Sequence, residues 1–220
     1  MTFLQSLNGR PLRVWGLAAL VAWLVFLVTR LALLGHSVMF SEQALGGLLG
    51  GVMLGMLRDL PVVLMLSWPW ALFEIVFKRK WADRLRWPLL AIYIFTLIFV
   101  GVSEGVFWEE FSVRFNFIAV DYLVFTTEVI GNIRESYPVG KIISGLAVLT
   151  LLVVWSLRRP LRAAVATESG RATQFGWALS LMLAVCVVAY KMPLPEFSSN
   201  AFANELADNG WRSFIAAARQ

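Results

Sequence analysis

The chain reads as a series of apolar blocks separated by short intervals of charge, Gly or Pro. The first block, Val14 to Thr29, is uncharged and continues past Arg30 to Leu34. That gives about 20 residues, enough at ~1.5 Å per residue to cross roughly 30 Å of hydrocarbon. The second, Ala44 to Phe77, is interrupted by Arg58-Asp59. Arg58 and Lys78 stand about 30 Å apart along a helix, so a span over about 57–77 places a charged residue at each interface. Ahead of it, Gly46, Gly47, Gly50, Gly51 and Gly55 fall at overlapping small-xxx-small spacings that let another helix approach closely. This glycine segment either extends the span or lies in the interface. Further spans are expected over about 87–106, 142–157 and 172–190, each bracketed by charge or Pro. The pattern predicts an all-α integral membrane protein, a bundle of five transmembrane helices over residues 1–192 followed by a helical extracytoplasmic tail over 193–220. The first block is longer than the apolar core of a cleaved signal peptide, and Gly35-His36-Ser37-Val38-Met39-Phe40 after it offers no convincing cut site, so the first helix is read as retained.

Composition supports lipid as the solvent. Of the 220 residues 59% are hydrophobic and 15% charged, against about 25% charged in soluble domains. The mean hydropathy of +0.73 excludes both a water-soluble globule and a disordered chain. One Cys, Cys186, and one His, His36, permit no internal disulfide and no His-rich or Cys-rich zinc site. The net charge of +5 sits in short blocks beside apolar runs rather than along one polar face, which argues against nucleic acid as a partner. The blocks instead set topology. Arg10, Arg13, Lys78, Arg79, Lys80, Arg84, Arg86, Arg158, Arg159, Arg162 and Arg171 collect on one side, which the positive-inside rule makes cytoplasmic. With five spans the N-terminus is then cytoplasmic and the tail extracytoplasmic.

The outer segment 107–141 is long and aromatic, and Ile118, Tyr122, Phe125, Val129 and Ile133 recur at spacings of four and three. Asp121, Glu128 and Asn132 fall off that stripe, so the segment is read as an amphipathic helix lying in the membrane interface, separated from the fourth span by Pro138 and Gly140. In the tail, Ser198 or Ser199 is expected to cap a short helix through Leu206. Asn209-Gly210 is a stop or turn, and Trp211 to Gln220 begins a helix with no closing signal, as though the chain continued.

Candidate chemistry lies mostly on the outer side. Arg58 matches phosphate geometry at the interface and Asp59 can orient it, giving a lipid head-group site; the alternative is a snorkelling boundary pair. Glu104, Glu109, Glu110, Arg114 and Asp121 form a candidate polar floor for a domain above, with Arg114 within i,i+4 reach of Glu110, or are solvated surface charge. Asn116, Tyr122 and Arg134 complete the set of candidate lipid head-group or interdomain contacts. Glu74 is read as a boundary residue snorkelling toward Lys78, with a proton relay as the alternative. His36 and Glu42 are too few to hold a metal and are placed in a solvated loop, while Cys186 is a packed residue of the fifth span. Trp15, Trp81, Trp87, Trp108 and Trp211 near span ends suit interfacial anchoring.

The run Glu110-Phe111-Ser112-Val113-Arg114-Phe115-Asn116-Phe117-Ile118-Ala119-Val120-Asp121-Tyr122-Leu123, with Glu128-Val129-Ile130-Gly131-Asn132-Ile133 and Glu135-Ser136-Tyr137-Pro138, resembles the first large outer loop of the lipoteichoic acid synthase-like sulfatases, which include phosphoglycerol transferases. Arg58-Asp59-Leu60 and Asn204-Glu205-Leu206-Ala207-Asp208-Asn209-Gly210 are similar to that family's charged start of the second span and its juncture with the catalytic domain. The resemblance implies five membrane helices of a bacterial cytoplasmic membrane protein preceding an extracytoplasmic domain of alkaline-phosphatase type. In that domain a Thr nucleophile and a divalent metal, Mn or Mg, transfer a lipid head group. The likeness stops before the nucleophile, so no catalytic residue, metal ligand or cofactor is carried over to this chain. The implied role is a membrane anchor that presents lipid to a sulfatase-like catalytic domain, its partners being that domain and membrane lipids. Two other classes compete: a small transporter or flippase-like bundle, pointed to by Glu74 and the glycine segment although no inverted repeat is visible, and an accessory scaffold whose tail docks a separate enzyme.

Overall fold

Each apolar block described in the computed structural model forms one long helix. The structure describes residues 10–40, 45–124, 126–166, 176, 179, 182–183 and 195–219. The expected fifth span over 172–190, with Cys186, and Glu42 lie wholly or almost wholly outside the described residues. Among the described residues the elements are helices only: α1 Arg10–Phe40, α2 Leu45–Val76, α3 Arg79–Phe111, α4 Phe117–Val124, α5 Thr126–Ser136, α6 Val139–Val165, α7 Ala201–Ala207 and α8 Gly210–Ala217. Four of them, α1, α2, α3 and α6, are long and apolar enough to cross a membrane, and the protein is a membrane protein.

The long helices exceed their apolar runs because nothing in the flanking sequence stops them. The glycine segment joins α2 without a break, so it extends the span. His36 lies within α1 rather than in a loop, because no Pro follows Gly35 to end the helix before Phe40. Pro61 and Pro69 in α2, Pro88 in α3 and Pro160 in α6 are carried inside helices, a burden that membrane helices bear when neighbouring groups take up the freed backbone. Polar side chains on these helices turn back on their own backbone: Ser67 Oγ donates to the Val63 carbonyl at 2.7 Å and Ser37 Oγ to that of Leu33 at 2.9 Å.

The end of α3 decides the outer loop. Ser112 adopts φ 57°, in the left-handed region, and its amide donates to the Trp108 carbonyl at 2.8 Å, so the helix stops at Phe111. Asn116 then starts α4, its Oδ1 accepting from the Ile118 amide at 2.9 Å. Among the described residues the outer segment is helical over Phe117–Val124 and Thr126–Ser136, the helical character that the period predicted. Phe117, Tyr122, Val124, Ile130 and Ile133 on them are exposed.

The chain divides into two compact units: residues 1–24, 60–97 and 150–193, and residues 25–59, 98–149 and 194–220. In the first, Val14, Ala18, Trp70, Leu90, Ile94 and Leu161 are buried. Trp70 meets Phe73 and Tyr93 edge-on, at 5.9 and 5.8 Å between ring centres, and the Tyr93 hydroxyl donates to the Ala18 carbonyl at 3.2 Å. The second has its core at Leu33, Leu48, Val52, Trp108 and Leu206, so the tail helix α7 supplies part of the interior.

Candidate functional site

In the second unit a set of charged residues on α1, α2 and α3 closes on the tail. Arg30, a cation inside an otherwise apolar run, is completely buried. A charge in that position persists only where it is paired. Its Nη2 donates to Asp59 Oδ1 on α2 at 2.5 Å, and its Nη1 donates to the backbone carbonyls of Leu206 and Asp208, the latter at 2.9 Å. Asp59 Oδ1 also accepts from the Asn209 side-chain amide at 2.7 Å. Asn209 in turn caps α8, its Oδ1 accepting from the amides of Trp211 and Arg212. One carboxylate oxygen thereby links α1, α2 and the start of α8.

A second pair lies beside the first. Arg114, just past the end of α3, donates through Nη1 to Glu104 Oε1 at 2.7 Å and through Nε to the Glu205 carbonyl at 2.9 Å. Its backbone amide donates to Glu205 Oε2 at 2.8 Å. Burial pushes the Glu205 carboxyl above the usual carboxylate range, against the opposing pull of the Arg114 amide and guanidinium. The expected pairing of Arg114 with Glu110 does not occur, because the left-handed turn at Ser112 ends the helical register that i,i+4 spacing requires.

Glycine makes the close approach possible. A side chain at Gly51 would run into the Ala203 carbonyl, and one at Gly55 into the Arg30 guanidinium and the Leu206 carbonyl. A methyl group at Gly50 would rest at 3.5 Å from the Phe197 ring. Gly210 lies against the Glu104 carboxylate in the same way. The small-residue spacing on α2 therefore accommodates the tail helix α7. That helix is capped by Asn200, whose Oδ1 accepts from the Ala203 amide at 3.2 Å, and not by Ser198 or Ser199. Ser198 Oγ instead accepts from the Asn200 amide at 3.1 Å.

Of the residues singled out in the sequence, Asp59, Glu104 and Arg114 meet in this clamp, and Arg58 joins its edge by donating to the Pro195 carbonyl at 2.9 Å. The Arg58-Asp59 pair is therefore split: Asp59 turns inward to Arg30 while Arg58 takes the tail backbone. Glu109, Glu110, Asp121 and Arg134 are exposed. Asn116 begins α4, and Tyr122 packs edge-on to Phe111 at 5.9 Å. The sequence reading missed Arg30, Glu205 and Asn209 as clamp residues. Arg30 carried a usable signal, since an Arg within a run of lipid-soluble residues demands a partner.

The first unit holds an ion cluster of its own. Glu74 is 2% exposed and does not snorkel to Lys78. Its carboxylate takes Arg86 Nε at 2.6 Å and lies 3.0 Å from Arg10 Nε, and Arg86 also pairs with Asp83 at 2.8 Å. Two guanidinium groups thus compensate one buried carboxylate, which fixes α1, α2 and α3 to one another.

Among the described residues no group of three or more His, Cys, Asp or Glu side chains is placed to hold a metal ion. The chain matches no protein-family model, no curated protein and no solved structure.

Proposed function

We propose that this chain is the membrane domain of a lipoteichoic acid synthase-like sulfatase or phosphoglycerol transferase, anchoring and orienting an extracytoplasmic catalytic domain and presenting lipid substrate to it. The observation that carries the reading is the clamp: Arg30, Asp59, Glu104 and Arg114 all spend hydrogen bonds on residues 205–209 or on each other beneath them. A tail that only tethers needs no such fixation. One that sets the heading of a domain beyond it does. In this reading residues 172–190 form a fifth span, and the outward helices α4 and α5 lie in the interface. The N-terminus is cytoplasmic, the tail is extracytoplasmic, and the membrane is the bacterial cytoplasmic membrane. Catalysis, with its Mn or Mg, belongs to the partner domain, whether on the same chain or on another.

The engagement of Glu74 by Arg10 and Arg86 weighs against a transporter with a proton relay at that carboxylate. Two experiments test the proposal. A reporter fused after Gln220 is expected to be accessible only from outside the cell, and affinity purification from cross-linked native membranes is expected to recover a sulfatase-like phosphotransferase domain, fused or bound. A reporter accessible only from the cytosol overturns the topology. Recovery of the protein without any such domain overturns the assignment.

A further inference from the structure

We infer that the hairpin joining α2 and α3 is a binding site for an anionic phospholipid, with an acyl chain in the adjoining groove and the head-group phosphate at Lys78, Arg79 and Lys80. The groove has a volume of about 600 Å³ and is walled by side chains such as Leu72, Val76, Phe77, Leu89, Ile92 and Tyr93. That volume lies within the roughly 300–1,000 Å³ range of ligand sites. Its walls are hydrocarbon and aromatic. The one hydroxyl among those side chains, on Tyr93, is already committed to the Ala18 carbonyl. Such walls suit an alkyl chain better than a polar molecule.

The mouth has the opposite character. Phe77 lines the groove, and the next three residues, Lys78, Arg79 and Lys80, are exposed cations, with Arg84 one turn further along α3. Against these four stands Asp83, which Arg79 reaches only at 4.0 Å and which also serves Arg86 at 2.8 Å. The surplus positive charge therefore faces outward beside the apolar slot. Trp81, also exposed, lies beneath the Arg84 guanidinium at 5.6 Å, an arrangement suited to the depth where head groups meet acyl chains. A lone phosphate would use the cations and leave the groove unfilled, whereas a zwitterionic lipid would leave the excess charge unmatched. A phospholipid of net negative charge uses both. This site is separate from the tail clamp and requires only that the protein lie in a membrane.

The test is native mass spectrometry of the full chain released from detergent after equilibration with phosphatidylglycerol or phosphatidylcholine of matched acyl chains. Wild type is expected to retain phosphatidylglycerol at least about tenfold better, since each cation near an anionic head group contributes roughly a fivefold preference. The triple variant Lys78→Gln, Arg79→Gln, Lys80→Gln is expected to abolish that preference, and Ile92→Trp, which fills the groove, to reduce retention of both lipids. Arg158→Gln with Arg159→Gln, a pair of cations on α6, is expected to leave the preference intact. Equal retention of the two lipids by wild type overturns the proposal. So does an unchanged preference in the triple variant, unchanged retention in Ile92→Trp, or an equal loss in the α6 variant.

Discussion

Arg30 on α1 and Asp59 on α2 meet at 2.5 Å with side chains 0% and 1% exposed, and the tail closes over both. A guanidinium so deeply buried forms hydrogen bonds in two directions: sideways to the carboxylate and along the tail to the carbonyls of Leu206 and Asp208. Breaking either partnership leaves an uncompensated charge. Asp59→Ala is expected to destabilise the protein by about 3–5 kcal/mol, read as a fall in the thermal midpoint in detergent. The double change Arg30→Met with Asp59→Leu removes the charges together and is expected to recover most of that loss. It also deprives the tail of its donor, so amide hydrogen exchange over 201–209 is expected to rise. Unchanged exchange in the double variant would show that Arg30 does not hold the tail.

Gly50 and Gly51 are adjacent on α2 yet predict opposite results. At Gly50 a methyl group reaches ordinary contact with Phe197 at 3.5 Å, so Gly50→Ala is expected to gain up to about 1 kcal/mol from helix propensity. At Gly51 the Ala203 carbonyl already occupies the space a Cβ needs. Gly51→Ala is therefore expected to lose tail docking, seen as faster exchange at 201–207, despite the same gain in propensity.

Ser112 holds φ 57° without being glycine. Ser112→Gly relieves a left-handed conformation that costs an L-residue roughly 1–2 kcal/mol, less the greater freedom of glycine in the unfolded chain. A net stabilisation of about 1 kcal/mol is expected by thermal unfolding, with Ser112→Val moving the midpoint the other way.

Glu205 predicts a pH dependence. Its carboxyl is raised in the folded state chiefly by burial, with Asp208 and Glu104 adding to the effect and Arg114 opposing it. A carboxyl raised on folding binds more protons folded than unfolded, so its contribution to stability is complete below the ordinary Glu value of about 4.3 and is lost as pH rises through the folded-state value. Protection of the tail amides is expected to decline over that interval in the wild type. Glu205→Gln, which can still accept from the Arg114 amide, is expected to dock more tightly at neutral pH and to remove that portion of the pH dependence.

The membrane character and the long helices were legible because lipid imposes a length and a composition that any reader of the chain can measure. The three long helices at the start, and α6, stand where the apolar runs put them. Partnership was less legible. Asp59, Glu104 and Arg114 drew attention as charges near span ends, but hydrophobic period carries no record of which residue lies opposite which. Arg30 was absorbed into its apolar run, although its partner Asp59 was already singled out. The glycine spacing on α2 announced a close approach without naming the tail as the visitor. The pairing of Arg114 with Glu110 failed on one dihedral, at Ser112, where no Gly or Pro marks the stop.

The bond from Arg30 to the Leu206 carbonyl joins residues 176 positions apart. Along a growing polypeptide this has a temporal meaning. The first helix enters the bilayer with a cation that Asp59 can neutralise only once the second has followed, and the backbone oxygens of Leu206 and Asp208 that complete its coordination emerge far later still. Assembly of this half of the molecule is thus held open until the distal segment arrives to lock it.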